Sequence, residues 1–142
     1  MKVFYALSQL PEGLHVEGSL ILTGTRITKL PEGLHIERGL DLGGTPITQL
    51  PEGLHVGGSL NLSGTQITQL PSNLHIKGSL YLDGTPITQL PEGLHVGGDL
   101  NIGDTQITQI PDDLYVGGTL FRNTQITQIS PSANIRNVEP RL

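Results

Sequence analysis

Leu50-Pro51-Glu52-Gly53-Leu54-His55-Val56-Gly57-Gly58-Ser59-Leu60-Asn61-Leu62-Ser63-Gly64-Thr65-Gln66-Ile67-Thr68-Gln69 is one unit of a twenty-residue period that runs through most of the 142-residue chain. Counterpart units begin at Leu10, Leu30, Leu70, Leu90 and Ile110, and the last is one residue short. Six registered copies make this period the controlling fact about the fold. Apolar residues recur at Leu50, Leu54, Val56, Leu60, Leu62 and Ile67 and their counterparts. The pairs Leu54/Val56 and Leu60/Leu62 have the spacing of strands, whose alternate side chains share a face. Nothing in the unit repeats at helical spacing, so no regular helix is expected. Three corners separate the extended pieces: Gly57-Gly58-Ser59, Gly64-Thr65 and Leu50-Pro51-Glu52-Gly53. Glycine supplies the unusual backbone angles, and proline fixes φ while removing a donor.

A unit of three extended segments and three corners closes into one coil. Stacked coils, joined by parallel backbone hydrogen bonds at roughly 4.8 Å per rung, make an all-β repeat solenoid. A right-handed parallel β-solenoid is expected, from the general rule for parallel crossovers. Leu60 then lies over Leu40 and under Leu80, and every apolar position becomes a ladder. The reading is one domain over residues 1–142: a cap at 1–9, six repeats at 10–128, and a second cap at 129–142. Val3, Tyr5 and Leu7 alternate as a partial strand in the first cap, while Ile135 and Val138 fold back over the last coil in the second. Thr25, Thr45, Thr65, Thr85, Thr105 and Thr124 precede the buried isoleucines by two residues, and their hydroxyls are expected to face inward and bond backbone groups.

Apolar residues make up only 35% of the chain and aromatics 4%, thin for a globular core, yet a disordered chain has no reason to keep so strict a period. The absence of cysteine excludes disulfides, thiolate zinc sites and a cysteine nucleophile. A net charge of −5 argues against nucleic-acid binding through phosphates. No apolar run is long enough to span a bilayer, and Pro11 and Glu12 arrive too soon after the amino terminus for a signal peptide. The expectation is a soluble, cytoplasmic protein with no membrane or nucleic-acid partner.

The stretch Leu60-Asn61-Leu62-Ser63-Gly64-Thr65-Gln66-Ile67-Thr68-Gln69-Leu70-Pro71 resembles the LxLxxNxLxxLP segment of leucine-rich repeats, and is most similar to the short bacterial type. The resemblance recurs through residues 10–129. It implies an LxL strand on a concave face and a binding scaffold without catalysis. Two departures place the chain on the border with parallel β-helices. Threonine stands in every copy where the family has its backbone-bonding asparagine, and the Leu-His-Val segment reads as a second strand.

Outward positions that vary between copies are candidate contact residues. Position twelve reads Ile21, Asp41, Asn61, Tyr81, Asn101 and Phe121, between the two apolar residues of the central strand. In a chain so poor in aromatics, tyrosine and phenylalanine on one file are favoured interface anchors. Asp41, Asn61, Tyr81, Asn101 and Phe121 are therefore the candidate site for an unidentified protein partner. A second file, His15, His35, His55, His75 and His95, closed by Tyr115, faces solvent, where neighbouring imidazoles could share a metal. A metal site needs a converging further ligand, for which Glu12, Glu32, Glu52, Glu92 and Asp112 on the adjoining corner are the candidates; copying of one repeat explains the column without any ion. The outward threonines Thr28, Thr48, Thr68, Thr88, Thr108 and Thr127 read as ordinary strand residues.

No unique trio of nucleophile, base and carboxylate stands out from the repeated pattern, and no phosphate cradle is present. Neither an enzyme nor a cofactor is expected. The expected function is a non-catalytic protein-binding scaffold. The alternatives are a structural or adhesive rod in a bacterial or phage assembly, self-associating through the solenoid ends, and a small inhibitor of a host protein.

Overall fold

The computed structural model describes residues 2–3 and 10–141. Short strands follow one another along the chain: β1 (Lys2–Val3), β2 (His15–Val16), β3 (Leu20–Ile21), β4 (His35–Ile36), β5 (Leu40–Asp41), β6 (His55–Val56) and β7 (Leu60–Asn61). They continue as β8 (His75–Ile76), β9 (Leu80–Tyr81), β10 (His95–Val96), β11 (Leu100–Asn101), β12 (Tyr115–Phe121) and β13 (Asn134–Glu139). All pairings are parallel, and those between the repeats connect residues one repeat apart, as Leu40 does with Leu60 and Leu60 with Leu80. The described chain contains no helix and forms a parallel β-solenoid of about six coils.

Two strand columns run the length of the solenoid. The leucine column has the order β1-β3-β5-β7-β9-β11-β12. The histidine column consists of β2-β4-β6 and then β8-β10-β12. Its strand pairing is interrupted between β6 and β8, where Ser72-Asn73 replaces the Glu-Gly of the flanking coils. Stacking persists at that level, since the Gly78 amide still donates to the Gly58 carbonyl at 3.0 Å. Only in the sixth coil do the two columns meet in one strand, β12, which continues through Gly117-Gly118 and whose pairing with β13 shifts register between Val116 and Thr119. β13 lies parallel on β12, pairing Ile135 with Val116 and Val138 with Leu120. Of the expected first cap, Val3 belongs to β1, which pairs with β3, while Tyr5 and Leu7 lie outside the described residues.

The core is a set of ladders rather than a centre. Leu20, Leu60, Leu80, Leu100 and Leu120 are fully buried, as are Leu22, Leu42, Leu62, Leu82 and Ile102. Each coil presents its apolar residues to the coils above and below, so no coil buries them alone. Removing one interior leucine side chain should cost about 2–5 kcal/mol.

The corner after the leucine strand shows how a coil turns without orphaning its backbone. Gly24, Gly44, Gly64 and Gly84 hold φ between 70° and 78°, the left-handed region that disfavours a Cβ. Asp104 adopts the same region in the fifth coil. Next to it, the buried threonine hydroxyl donates to the carbonyl three residues back, as Thr65 does to Leu62 at 2.7 Å. Thr25, Thr45, Thr85 and Thr105 repeat the bond.

In the sixth coil this device changes. Thr124 is exposed, against the expectation that it faces inward, and Asn123 takes the buried place. The one-residue deletion shortens the corner, so a different side chain falls beneath Ile126. Asn123 Nδ2 donates to the carbonyls of Thr105 and Ile107, and its Oδ1 accepts the amides of Gln125 and Ile126. Threonine in every copy is therefore corrected: the last corner is turned by asparagine. Arg122 occupies the register of Leu62 and reaches the carbonyls of Asn123, Ile126, Pro140 and Arg141. One guanidinium thus satisfies backbone acceptors where the leucine ladder stops.

Candidate functional site

The variable file on the leucine column is continuous. Strand register places Ile21 beside Asp41, then Asn61, Tyr81, Asn101 and Phe121 in turn. Its members divide into two kinds. Asp41 Oδ1 accepts the Gly43 amide at 3.0 Å, Asn61 Oδ1 the Ser63 amide at 2.9 Å and Asn101 Oδ1 the Gly103 amide at 2.9 Å. Each is a side chain bonded to its own backbone two residues on, which sets up the corner. Asn61 Nδ2 also donates to Asp41 Oδ1 at 3.1 Å, linking two coils. These half-buried residues have structural employment.

Tyr81 and Phe121 do not share it. They are 36% and 40% exposed, and among the described residues they are the large apolar side chains most open to solvent. Register puts them two rungs apart on one face, about 10 Å at strand spacing. A shallow depression of about 330 Å³ adjoins Tyr81, lined by Leu20, Ile21, Leu40, Asp41 and Asn61 among others. A larger cleft of about 540 Å³ at the sixth-coil corner is lined by Gly103, Gln106, Arg122 and Gln125 among others. There Arg122 is already committed to the chain's own carbonyls, which makes the cleft a poor docking place.

The flank of the same column carries a file that sequence reasoning missed. Ser19 Oγ accepts the Gly39 amide, Ser59 Oγ the Ser79 amide, Ser79 Oγ the Asp99 amide, and Asp99 Oδ1 the Thr119 amide, at 2.8–3.0 Å. The recurrence of Ser or Asp at position ten was the available signal.

The histidine column forms two separate stacks. His35 and His55 lie 4.1 Å apart with ring planes 11° from parallel, and His75 with His95 and His95 with Tyr115 are similarly stacked. The division between His55 and His75 coincides with the interrupted strand pairing. His15 and His35 are instead tilted by 32° at 4.4 Å. Their Nε2 atoms lie 2.8 and 3.0 Å from one oxygen, Glu37 Oε1. His15, His35 and Glu37 are the one set of three metal-capable side chains brought together among the described residues. The converging carboxylate is thus Glu37 rather than the corner acids Glu12, Glu32, Glu52, Glu92 or Asp112. It lies two residues beyond His35 on the extended chain, and so on the same face. The spacing His-x-Glu, present only in the first two coils, was the missed signal.

Hydrogen bonding from His15 outweighs the opposing desolvation and, with the charges of His35 and His15 and a hydrogen bond from His35, holds the Glu37 carboxyl below its ordinary value of 4.5. Burial first, then the neighbouring charge of His75, holds His95 below its ordinary 6.5.

No protein-family model and no curated protein matches the chain. Among the described residues no helix is long and apolar enough to cross a membrane.

Proposed function

We propose that the protein is a non-catalytic scaffold that binds another protein through the face bearing Tyr81 and Phe121. One observation carries the reading: the two large exposed apolar side chains stand on one file of a rigid column. Aromatic anchors with two torsions lose little entropy on docking, and hot spots at interfaces favour them. Asp41, Asn61 and Asn101 are assigned a supporting part, since their oxygens already hold the corners. The solenoid is further assigned to leucine-rich repeats of the short bacterial type. Asn123 supports this, because it bonds backbone groups on two coils in the manner that resemblance implies for the family's asparagine.

The test is affinity capture from a lysate of the source organism or its host, comparing wild type with Tyr81→Ala/Phe121→Ala. A partner kept by wild type and lost by the folded double variant supports the reading. A partner retained equally by both proteins overturns the site.

A structural rod is the second reading, favoured by one feature. β13 pairs with β12 on one side and, among the described residues, with no strand on the other. An open parallel edge is a template for another chain. Sedimentation that shifts with concentration would favour this reading over the scaffold.

A further inference from the structure

We propose that His15, His35 and Glu37 form a binding site for a borderline divalent transition metal, represented by Zn²⁺, which clamps the first coil to the second. Three donors converge on a small volume: two imidazole Nε2 atoms lie 2.8 and 3.0 Å from Glu37 Oε1. Donors at about 2.0–2.1 Å from a tetrahedral zinc are separated by roughly 3.3 Å. The two Nε2–Oε1 separations are within a few tenths of an ångström of that spacing, and all three donor atoms lie within 4.8 Å of one another. All three side chains are surface-exposed to a degree that allows the remaining adjustment, at 54%, 36% and 45%.

The backbone fixes the arrangement. β2 pairs with β4 in register, setting His15 beside His35, and the Glu37 amide donates to the Val16 carbonyl at 2.9 Å. The carboxylate is therefore anchored to the coil that carries His15. The tilt of these two rings distinguishes them from the flat stacks farther along, and it turns both Nε2 edges towards one point.

The donor set selects the ion. Two imidazoles and one carboxylate suit zinc, copper, nickel or cobalt, whereas calcium and magnesium require mostly oxygen ligands. Water completes the coordination. Without metal, one carboxylate oxygen accepts from both rings, which requires a proton on each Nε2. Binding needs a free lone pair on each Nε2: a neutral ring moves its proton from Nε2 to Nδ1 through solvent, whereas a charged ring releases its Nε2 proton to solvent and keeps the one on Nδ1. The remainder of the column lacks the third donor, because the position of Glu37 is held by Gly57, Lys77, Gly97 and Gly117 in later coils. Lys77 would also oppose a cation there.

The test is calorimetric titration of chelator-stripped protein with Zn²⁺, with Mg²⁺ as the contrasting ion. Glu37→Gln, His15→Asn/His35→Asn and His75→Asn/His95→Asn are titrated alongside, and circular dichroism without metal verifies that each is folded. The expected result is a single Zn²⁺ per chain in wild type and in His75→Asn/His95→Asn. Affinity should fall by at least about tenfold in Glu37→Gln and vanish in His15→Asn/His35→Asn. Histidine NMR signals of wild type supply a readout free of folding effects: Zn²⁺ should perturb His15 and His35 first. Absence of Zn²⁺ binding by wild type, unchanged affinity in Glu37→Gln, or perturbation centred on His75 and His95 would overturn the proposal.

Discussion

The first five coils and the sixth solve one problem with different side chains. Coils one to five turn from the leucine strand to the buried isoleucine with a left-handed residue followed by threonine. The sixth does so with one residue fewer and an asparagine. Thr65 has one hydroxyl, which bonds within its own coil to Leu62. Asn123 has donors and an acceptor on opposite ends of an amide, and spans from its own coil to the fifth. The difference shows that the repeat is constrained by backbone groups needing partners more than by the identity of the corner residue. A deletion is tolerated where a single side chain can satisfy both sides of the gap.

That comparison breaks most visibly at Asn123. Asn123→Ala leaves two carbonyls and two amides without their partners, and should destabilise the sixth coil by about 3 kcal/mol. Amide exchange at Gln125 and Ile126 measures it, because an end coil frays before the rod unfolds. A change in protection below about tenfold would mean that asparagine is not the element holding the corner.

Thr65→Val sharpens the other side. The Leu62 carbonyl keeps the Thr65 amide, at 3.2 Å, when the hydroxyl is removed. The cost should be about 1 kcal/mol in urea denaturation, well short of that at Asn123. Equal costs at the two corners would erase the distinction.

The smallest effect concerns the flank where the sixth coil places Tyr115 instead of a histidine. His95 has a neutral ring on that side and His75 on the other. Its pKa in the folded chain lies below 6.5, so the unfolded chain binds the proton more readily. The stability it contributes is complete above about 6.5 and is lost as pH falls from there towards the folded value. Denaturation midpoints measured between pH 7.5 and 5 should therefore fall more steeply for wild type than for His95→Gln. Parallel profiles would show that His95 does not couple to folding.

The solenoid was legible because its signal is repeated. Leu60, Leu62 and Ile67 have counterparts that state the same thing at each rung, and an error at one copy is corrected by the others. Asn123 and Arg122 had no such support. They sit at the deletion, where alignment against Thr65 and Leu62 is ambiguous, and register alone reveals that Arg122 ends the leucine ladder. Glu37 was missed for a related reason. The corner acids recur and attract notice, whereas the effective carboxylate appears at a position that later coils fill with glycine or lysine. Tyr81 and Phe121 stood out in the sequence by rarity, but the tethering of Asp41, Asn61 and Asn101 required three-dimensional geometry.

The register shift of β12 at Gly117-Gly118 has a consequence for length. In the other coils two separate strands meet at a bend, and each coil offers its successor the profile it received from its predecessor. β12 takes up the repeat register on its incoming side, Tyr115 on His95 and Leu120 on Leu100, but its outgoing pairing with β13 shifts register between Val116 and Thr119. The interior coils behave like interchangeable links, while the sixth behaves like a clasp. Duplicating residues 50–69 should lengthen the rod by roughly 4.8 Å without new parts. Duplicating residues 110–128 would set one clasp upon another.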